Sequence, residues 1–221
     1  MGGGAGLTFS AQTRIVREDS AFAMPETAIG LYPDVGASYI LPRLKGYAGL
    51  YLAMTGVTIP ARDMLELGLA NCFIAQQNWD EQQQLCMHQE ALPQSQDWQH
   101  LPQGLIARNA QKIDHCFSAD SPQQIMQRLE KAGDFGISSL EMMSKRCPLS
   151  MAVAFHAYHK GKHLTLAQCF EMETKLSHAM ILEPDFYEGV RALLIDKDQC
   201  PQWHYGSLDQ ISAEKIAQLF G

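Results

Sequence analysis

Apolar residues fall mainly at helical spacing along the chain, and short apolar runs that suit strands occur in its first third. These runs predict strands at the positions Ile15-Val16, Ala21-Phe22-Ala23 and Cys72-Phe73-Ile74. The pattern therefore predicts an α/β chain that is mostly helical.

Turn and cap residues place the first helices. Asp34 follows a proline and precedes an apolar run, which predicts that its carboxylate caps a short helix. A second helix is expected from Tyr47 to Met54, ending at Gly56. Pro60 suits the first turn of a third helix, which closes near Gly68.

The composition changes between Gln76 and Gly104, where ten of 29 residues are glutamine. This stretch predicts a solvated helix around Trp79–Glu90 followed by a loop. It divides the chain into a first part (1–75), a glutamine-rich connector (76–104) and a helical region (105–221). In the last region, Ser121-Pro122 starts a helix, and further helices are expected at Ser138–Arg146, Pro148–Lys160, Leu164–Leu182, Asp185–Ile195 and Ser212–Phe220.

Charge and composition exclude several function classes. The chain has 17 Lys and Arg residues against 24 Asp and Glu residues, a net charge of −7, and no basic run that would neutralise nucleic-acid phosphates or an anionic membrane. No window reaches the roughly 18 apolar residues of a membrane span, and no signal-peptide pattern is present. We therefore expect a cytoplasmic protein, or one of the mitochondrial matrix if the cell is eukaryotic.

The cysteine and histidine side chains are weak candidates for catalysis or metal binding. Six cysteines without a CxxC spacing predict reduced, mainly buried thiols. His156, His159 and His163 share a helical face, but the absence of HExxH favours a solvated basic face over a metal site. We expect no metal and no redox cofactor.

Two carboxylates stand out because the stretch from Ala21 to Leu41 carries almost no other charge. Glu26 and Asp34 lie eight residues apart, each beside a proline. A carboxyl group in apolar surroundings has a raised pKa, which suits a base or nucleophile near neutral pH. The structural alternative, in which Glu26 is a turn residue and Asp34 only a helix cap, has equal weight on composition alone.

The chain opens with the glycine-rich sequence MGGGAGL. Glycines let backbone N–H groups approach a ligand, and a following helix adds partial positive charge, so Gly2, Gly3 and Gly4 suit an anion or oxyanion. The dinucleotide pattern fails at Leu7, where its third glycine is required. A flexible tail is an equally good interpretation of these residues.

Three segments together resemble a known family: MGGGAGL, FAMPETAIGLYPDVGASYILPRL from Phe22 to Leu44, and GVRALLIDKDQ from Gly189 to Gln199. They are similar to the 3-hydroxyisobutyryl-CoA hydrolases of the crotonase, or enoyl-CoA hydratase/isomerase, superfamily. The resemblance implies the C-terminal part of the crotonase-like (ClpP/crotonase) spiral fold. It also implies a substantial preceding segment that supplies the first strands, a second oxyanion donor and much of the coenzyme A surface.

The resemblance also implies residue roles. Gly3, between Gly2 and Gly4, matches the glycine whose N–H binds the thioester oxygen. Glu26 matches the second superfamily glutamate, and Asp34 matches the acid that the hydrolase branch adds. Gly6 stands where hydratases carry their first glutamate, which disfavours water addition to a double bond.

The implied activity is hydrolysis of 3-hydroxyisobutyryl-CoA to 3-hydroxyisobutyrate and coenzyme A in valine breakdown. The implied partner is this acyl-CoA substrate, with homo-oligomers possible and no nucleic acid or membrane. Two alternatives stay open at this point: a hydratase or isomerase of the same superfamily, and an inactive fragment that serves as an assembly module.

Overall fold

The computed structural model describes residues 1–88 and 92–221, and it shows a mostly helical α/β chain with four two-residue strands. The elements of residues 1–88 are α1 (Gly3–Phe9), β1 (Ile15–Val16), β2 (Ala21–Phe22), α2 (Ala37–Ile40), α3 (Ala48–Thr55), β3 (Ile59–Pro60), α4 (Ala61–Glu66), β4 (Cys72–Phe73) and α5 (Trp79–Met87). The remaining helices are α6 (Leu105–Phe117), α7 (Pro122–Leu129), α8 (Gly133–Met143), α9 (Pro148–Gly161), α10 (Leu166–Met180), α11 (Pro184–Val190) and α12 (Ala213–Phe220).

The strands form two small sheets. β1 pairs in parallel with β4, with Ile15 opposite Cys72, and β2 pairs antiparallel with β3, with Phe22 opposite Ile59. The three predicted strands are confirmed, each as a pair of residues. Strand β3 was not predicted, because Pro60 both ends this strand and precedes the first turn of α4.

Helix α3 is the centre of the core, with every residue from Ala48 to Thr55 buried, and it packs against α9. Two glycines allow backbones to approach very closely here: a Cβ on Gly49 would lie 1.9 Å from the carbonyl oxygen of Leu41, and a Cβ on Gly161 would lie 1.9 Å from that of Ser38. The core therefore holds the segment from Ser38 to Leu41 between two buried helices.

Several helix boundaries follow the predicted caps. Ser121 caps α7, its hydroxyl accepting the Gln124 N–H at 3.2 Å, and Gly56 ends α3 in the left-handed region at φ 60°. The helix predicted from Trp79 ends at Met87, and Glu90 lies outside the described residues. None of the helices in residues 1–88 and 92–221 is both long and apolar enough to cross a membrane.

Two helix predictions need correction. Helix α8 begins at Gly133, not at Ser138, because Gly136 lies against α7, where a Cβ would come within 1.8 Å of the Leu129 carbonyl oxygen. The helix predicted to run to Ile195 ends at Val190 and continues as a π-helical turn from Arg191 to Ile195. A tertiary contact explains the first difference, since glycines weaken a helical pattern read locally.

Candidate active site

Glu26 lies in a short 3₁₀ turn, Glu26–Ile29, that follows β2. The residue is 7% exposed, and within the described parts of the chain its Oε2 atom has no hydrogen-bond partner. Burial raises the pKa of this carboxyl to about 7, and the negative charge of Asp34 adds to the increase. Glu26 therefore exchanges a proton near neutral pH, which is the property required of a base or nucleophile.

Helices α9 and α11 fix the backbone around Glu26. The Cys147 N–H at the start of α9 donates to the Thr27 carbonyl at 2.9 Å. On the other side, a Cβ on Gly30 would lie 2.2 Å from the Asp185 carbonyl oxygen, and a Cβ on Gly189 would lie 2.3 Å from the Ile29 carbonyl carbon. Glycines at 30 and 189 are thus required for α11 to reach this turn.

The predicted role of Asp34 as a helix cap is wrong. Helix α2 begins at Ala37 with Gly36 at the N-cap, and no side chain next to it in sequence caps it. The N–H groups of Gly36 and Ser38 instead donate to the carboxylate of Glu173 on α10, at 2.8 and 3.0 Å. Asp34 is half-buried, burial raises its pKa, and its carboxylate is not used to start the helix.

Val35, between Asp34 and Gly36, adopts a left-handed backbone conformation with φ 52°. This conformation is costly for a β-branched residue, roughly 1–2 kcal/mol. A Cβ on Gly6 would lie 2.6 Å from both the Cβ and the carbonyl oxygen of Val35. In this geometry the position of Gly6 has no room for a carboxylate side chain.

The three glycines at the start of the chain form the beginning of a helix. Gly2 is the N-cap of α1 with φ 63°, and Gly3 and Gly4 occupy its first turn, where N–H groups have no partner within the helix. A Cβ on any of the three would meet nothing within 4 Å. Gly3 and Gly4 are also exposed, which leaves this first turn accessible to an approaching oxygen atom.

Packing contacts connect the glycine turn to the carboxylates. Helix α1 meets Val35 through Gly6, and the Phe9 ring packs edge-on against Phe22 of β2 with centroids 5.9 Å apart. Glu26 lies four residues beyond Phe22, and the charge of Asp34 is close enough to influence it. The structure thus places the sequence-predicted residues on neighbouring elements.

The three histidines do not form a metal site. Among residues 1–88 and 92–221, no group of three or more His, Cys, Asp or Glu side chains is placed to hold a metal ion. The predicted solvated basic face is wrong for His156 and His159, which are half-buried against aromatic rings; the ring centroids of His159 and Phe155 are 4.4 Å apart. Burial lowers the pKa of both histidines, and only His163 is exposed.

The cysteines are free thiols, four of them buried, as predicted. Cys147 donates its S–H to Asp185 at 3.4 Å, and burial raises the pKa of its thiol to about 12. Such a thiol is not ionised near neutral pH and does not act as a nucleophile.

Sequence reasoning missed Glu173. It lies on the buried stripe of α10, with Cys169, Leu176 and Met180 at helical spacing. A carboxylate on an otherwise apolar helix face is the signal that identifies such a residue. Its partners were not predictable from spacing, since Gly36 lies 137 residues away in sequence.

Comparisons with known proteins identify the family to which the chain is similar. A family model described as enoyl-CoA hydratase/isomerase matches residues 1–220. Among curated proteins, the chain is 37% identical over 233 residues to a mitochondrial 3-hydroxyisobutyryl-CoA hydrolase of Danio rerio and 35% identical over 239 residues to that of Homo sapiens. All of this chain is covered in both matches, but only 61% and 60% of those proteins, so the chain spans about three fifths of their length.

Two solved structures are similar along the whole chain. A carnitinyl-CoA dehydratase from Mycobacterium thermoresistibile gives a TM-score of 0.89 at 26% identity, with 65% of that chain covered. An enoyl-CoA hydratase from Rhodobacter sphaeroides gives a TM-score of 0.90 at 31% identity, also with 65% covered. The fold class predicted from the sequence is thereby confirmed.

Proposed function

Because the chain belongs to the enoyl-CoA hydratase/isomerase family, we propose that it hydrolyses the thioester of 3-hydroxyisobutyryl-CoA to 3-hydroxyisobutyrate and coenzyme A. The observation that carries the proposal is Glu26, a buried carboxylate with a pKa of about 7 whose Oε2 has no hydrogen-bond partner among residues 1–88 and 92–221. The charge of a second acid, Asp34, raises its pKa further. The names of the curated relatives, at 35–37% identity, support this substrate.

The reaction adds water across the bond between the acyl carbon and sulfur. An N–H group of Gly3, with Gly2 and Gly4 shaping the turn, stabilises the negative charge that develops on the acyl oxygen. Removal of one donor of this kind typically lowers kcat roughly 10²–10³-fold. The electron pair returning to the carbonyl expels the sulfur of coenzyme A, which leaves as a thiol once protonated.

Glu26 starts this reaction in one of two ways. As a general base, its carboxylate takes a proton from water while the water oxygen attacks the acyl carbon. As a nucleophile, Oε2 attacks the carbon itself, and water then cleaves the resulting anhydride. In both cases Asp34 orients the substrate hydroxyl or the water.

The same family includes hydratases, whose chemistry uses two glutamates. Gly6 stands at the position of the first of them, and its contact with Val35 leaves no space for a side chain. This contact favours hydrolysis over hydration.

The first test compares two assays on the 221-residue chain. We expect release of free thiol from 3-hydroxyisobutyryl-CoA and no loss of the enoyl absorbance of crotonyl-CoA. Because Cys200 is exposed, a blank without substrate is needed to subtract the reaction of the protein's own thiol. Loss of enoyl absorbance without thiol release would indicate a hydratase instead.

If the chain neither releases thiol nor consumes the enoyl absorbance, an enzymatic role for it is contradicted. Thermal unfolding in the presence of coenzyme A then tests the assembly-module alternative. A ligand that binds the folded state raises the melting temperature with its concentration, so an unchanged melting temperature would favour a module that does not bind coenzyme A.

The rate of thiol release should depend on pH through Glu26. The active form is the ionised carboxylate, so kcat/KM should rise with pH and reach half of its plateau near pH 7, the pKa of Glu26. A midpoint near 4.5, the ordinary value for glutamate, would contradict the role of burial in tuning this group.

The location predicted from sequence is only partly supported. A cytoplasmic protein finds no support from the curated relatives, whose names describe them as mitochondrial. The mitochondrial matrix, predicted for a eukaryotic cell, is the alternative that these names favour. No metal or redox cofactor is needed in the proposed reaction, because coenzyme A is part of the substrate.

A further inference from the structure

The carboxylate of Glu173 is buried in α10 and is fully engaged with the segment that carries Asp34. Glu173 is only 4% exposed. Oε2 accepts the Gly36 N–H at 2.8 Å, and Oε1 accepts both the N–H and the hydroxyl of Ser38, at 3.0 and 2.5 Å. An acidic residue from a distant helix thus supplies the cap that α2 lacks locally.

The backbone of the same residue holds the other side of Asp34. The hydroxyl of Tyr32, which is fully buried, donates to the Glu173 carbonyl oxygen at 2.9 Å. Tyr32 lies two residues before Asp34, and Gly36 lies two residues after it. Both ends of the five-residue segment 32–36 are therefore attached to one point on α10.

This segment needs an external restraint. Val35 and Gly36 both have left-handed backbones, with φ 52° and 89°, and a β-branched residue does not hold such a conformation by itself. The hydrogen bonds to Glu173 compensate two N–H groups that would otherwise have no partner at the start of α2. Burial raises the pKa of Glu173, while the bonds from Ser38 and Gly36 lower it.

We propose that Glu173 is the positioning residue for Asp34: its carboxylate fixes the 32–36 segment so that the Asp34 carboxyl stays beside Glu26. The inference rests on the proposed function. Glu173 does not touch the substrate in this role and acts only through the backbone of Gly36 and Ser38.

The chain offers a matched control. Asp63 on α4 is also a fully buried carboxylate that accepts an N–H group at the start of another helix, that of Ile106 in α6, at 3.2 and 3.3 Å. It lies on an element that carries none of the residues proposed for the reaction. Loss of either carboxylate should lower stability, but only Glu173 should affect catalysis.

The experiment compares Glu173→Gln and Asp63→Asn, which keep the size of the side chain and remove its charge. We expect Glu173→Gln to lower kcat for thiol release roughly 10–100-fold, the range expected when a reacting group is misplaced by about 1 Å. The KM should change less than about threefold, since bulk binding of the thioester is unaffected. Asp63→Asn should lower the melting temperature and leave kcat within about threefold of the wild type.

A third variant tests whether Glu173 acts through its hydrogen bonds to Ser38. Ser38→Ala removes one of the three bonds to Glu173 and should lower kcat less than Glu173→Gln does. The double variant should be no worse than Glu173→Gln alone, because both substitutions act through the same contact. Unchanged kcat in Glu173→Gln, or equal losses in Glu173→Gln and Asp63→Asn, would overturn the proposal.

Amide hydrogen exchange separates this inference from the proposed function. Glu173→Gln should speed exchange at Gly36 and Ser38 and leave the amides of α6 unchanged. If the wild-type chain releases no thiol, the proposed function fails while this measurement still decides whether Glu173 holds the segment. Unchanged exchange at Gly36 and Ser38 would overturn the inference whatever the activity.

Discussion

Replacement of Glu26 by glutamine should reduce thiol release from 3-hydroxyisobutyryl-CoA at least about 10³-fold. Glutamine matches the shape of glutamate but neither takes a proton from water nor attacks an acyl carbon, and general bases contribute roughly 10²–10⁴ in rate. The KM should change little, because the side chain is buried and the amide occupies the same volume. The measurement is kcat and KM from initial rates of thiol release.

The same substitution should stabilise the folded protein at alkaline pH. The pKa of Glu26 is about 7 in the folded state and near its ordinary value of 4.5 when unfolded, so the folded state holds its proton more tightly. Stability from this group is fully present below about pH 4.5 and is lost as the pH rises to about 7. At pH 8, Glu26→Gln should therefore be more stable than the wild type by about 3 kcal/mol.

Urea unfolding at pH 5 and pH 8 checks this second effect, with Glu171→Gln as the control. Glu171 is an exposed glutamate on α10, and its replacement should leave the rate of thiol release and the free energy of unfolding close to those of the wild type. A stability difference between Glu26→Gln and the wild type that is the same at both pH values would contradict the raised pKa. Thiol release by Glu26→Gln at the wild-type rate would contradict the role of Glu26 as base or nucleophile.

Gly30→Ala should be among the most destabilising single changes in the chain. Gly30 has φ 74°, where an L side chain is strained, and a Cβ would lie 2.2 Å from the Asp185 carbonyl oxygen. The backbone strain and the overpacking together predict a loss of about 3–5 kcal/mol in the free energy of unfolding. Because Gly30 ends the turn that begins at Glu26, the rate of thiol release should fall as well.

Gly68 provides the matched control for this prediction. It has nearly the same backbone, φ 72°, but a Cβ there would meet nothing within 4 Å. Gly68→Ala should therefore cost only the backbone strain, about 1 kcal/mol. Equal losses for the two variants in urea unfolding would show that α11 does not press on the Glu26 turn.

Local patterns predicted the parts of the structure that depend on near neighbours in sequence. The strand residues, the Ser121 cap and the Gly56 helix end all follow from side chains within a few positions. Glu26 was singled out together with Asp34 because few other charges lie between Ala21 and Leu41, and its chemical role stays a prediction.

Two of the failures have a common physical cause, which is a contact between different helices or turns. Asp34 has the sequence context of a cap, but the N–H groups at the start of α2 bond to Glu173 on another helix. The start of α8 depends on how closely Gly136 approaches α7. Hydrogen bonds and close approaches of this kind produce no periodic pattern in the sequence. The predicted site therefore did not include Glu173, whose carboxylate binds the N–H groups of Gly36 and Ser38.

The contact between Gly6 and Val35 also limits how this chain can diverge. A side chain at position 6 and the present backbone at position 35 would occupy the same volume, so the two positions are expected to vary together among relatives. Introducing a carboxylate residue at position 6 would therefore require the turn at Val35 to shift as well. A single substitution at position 6 would then place a side chain there only at the cost of a distorted turn beside Asp34.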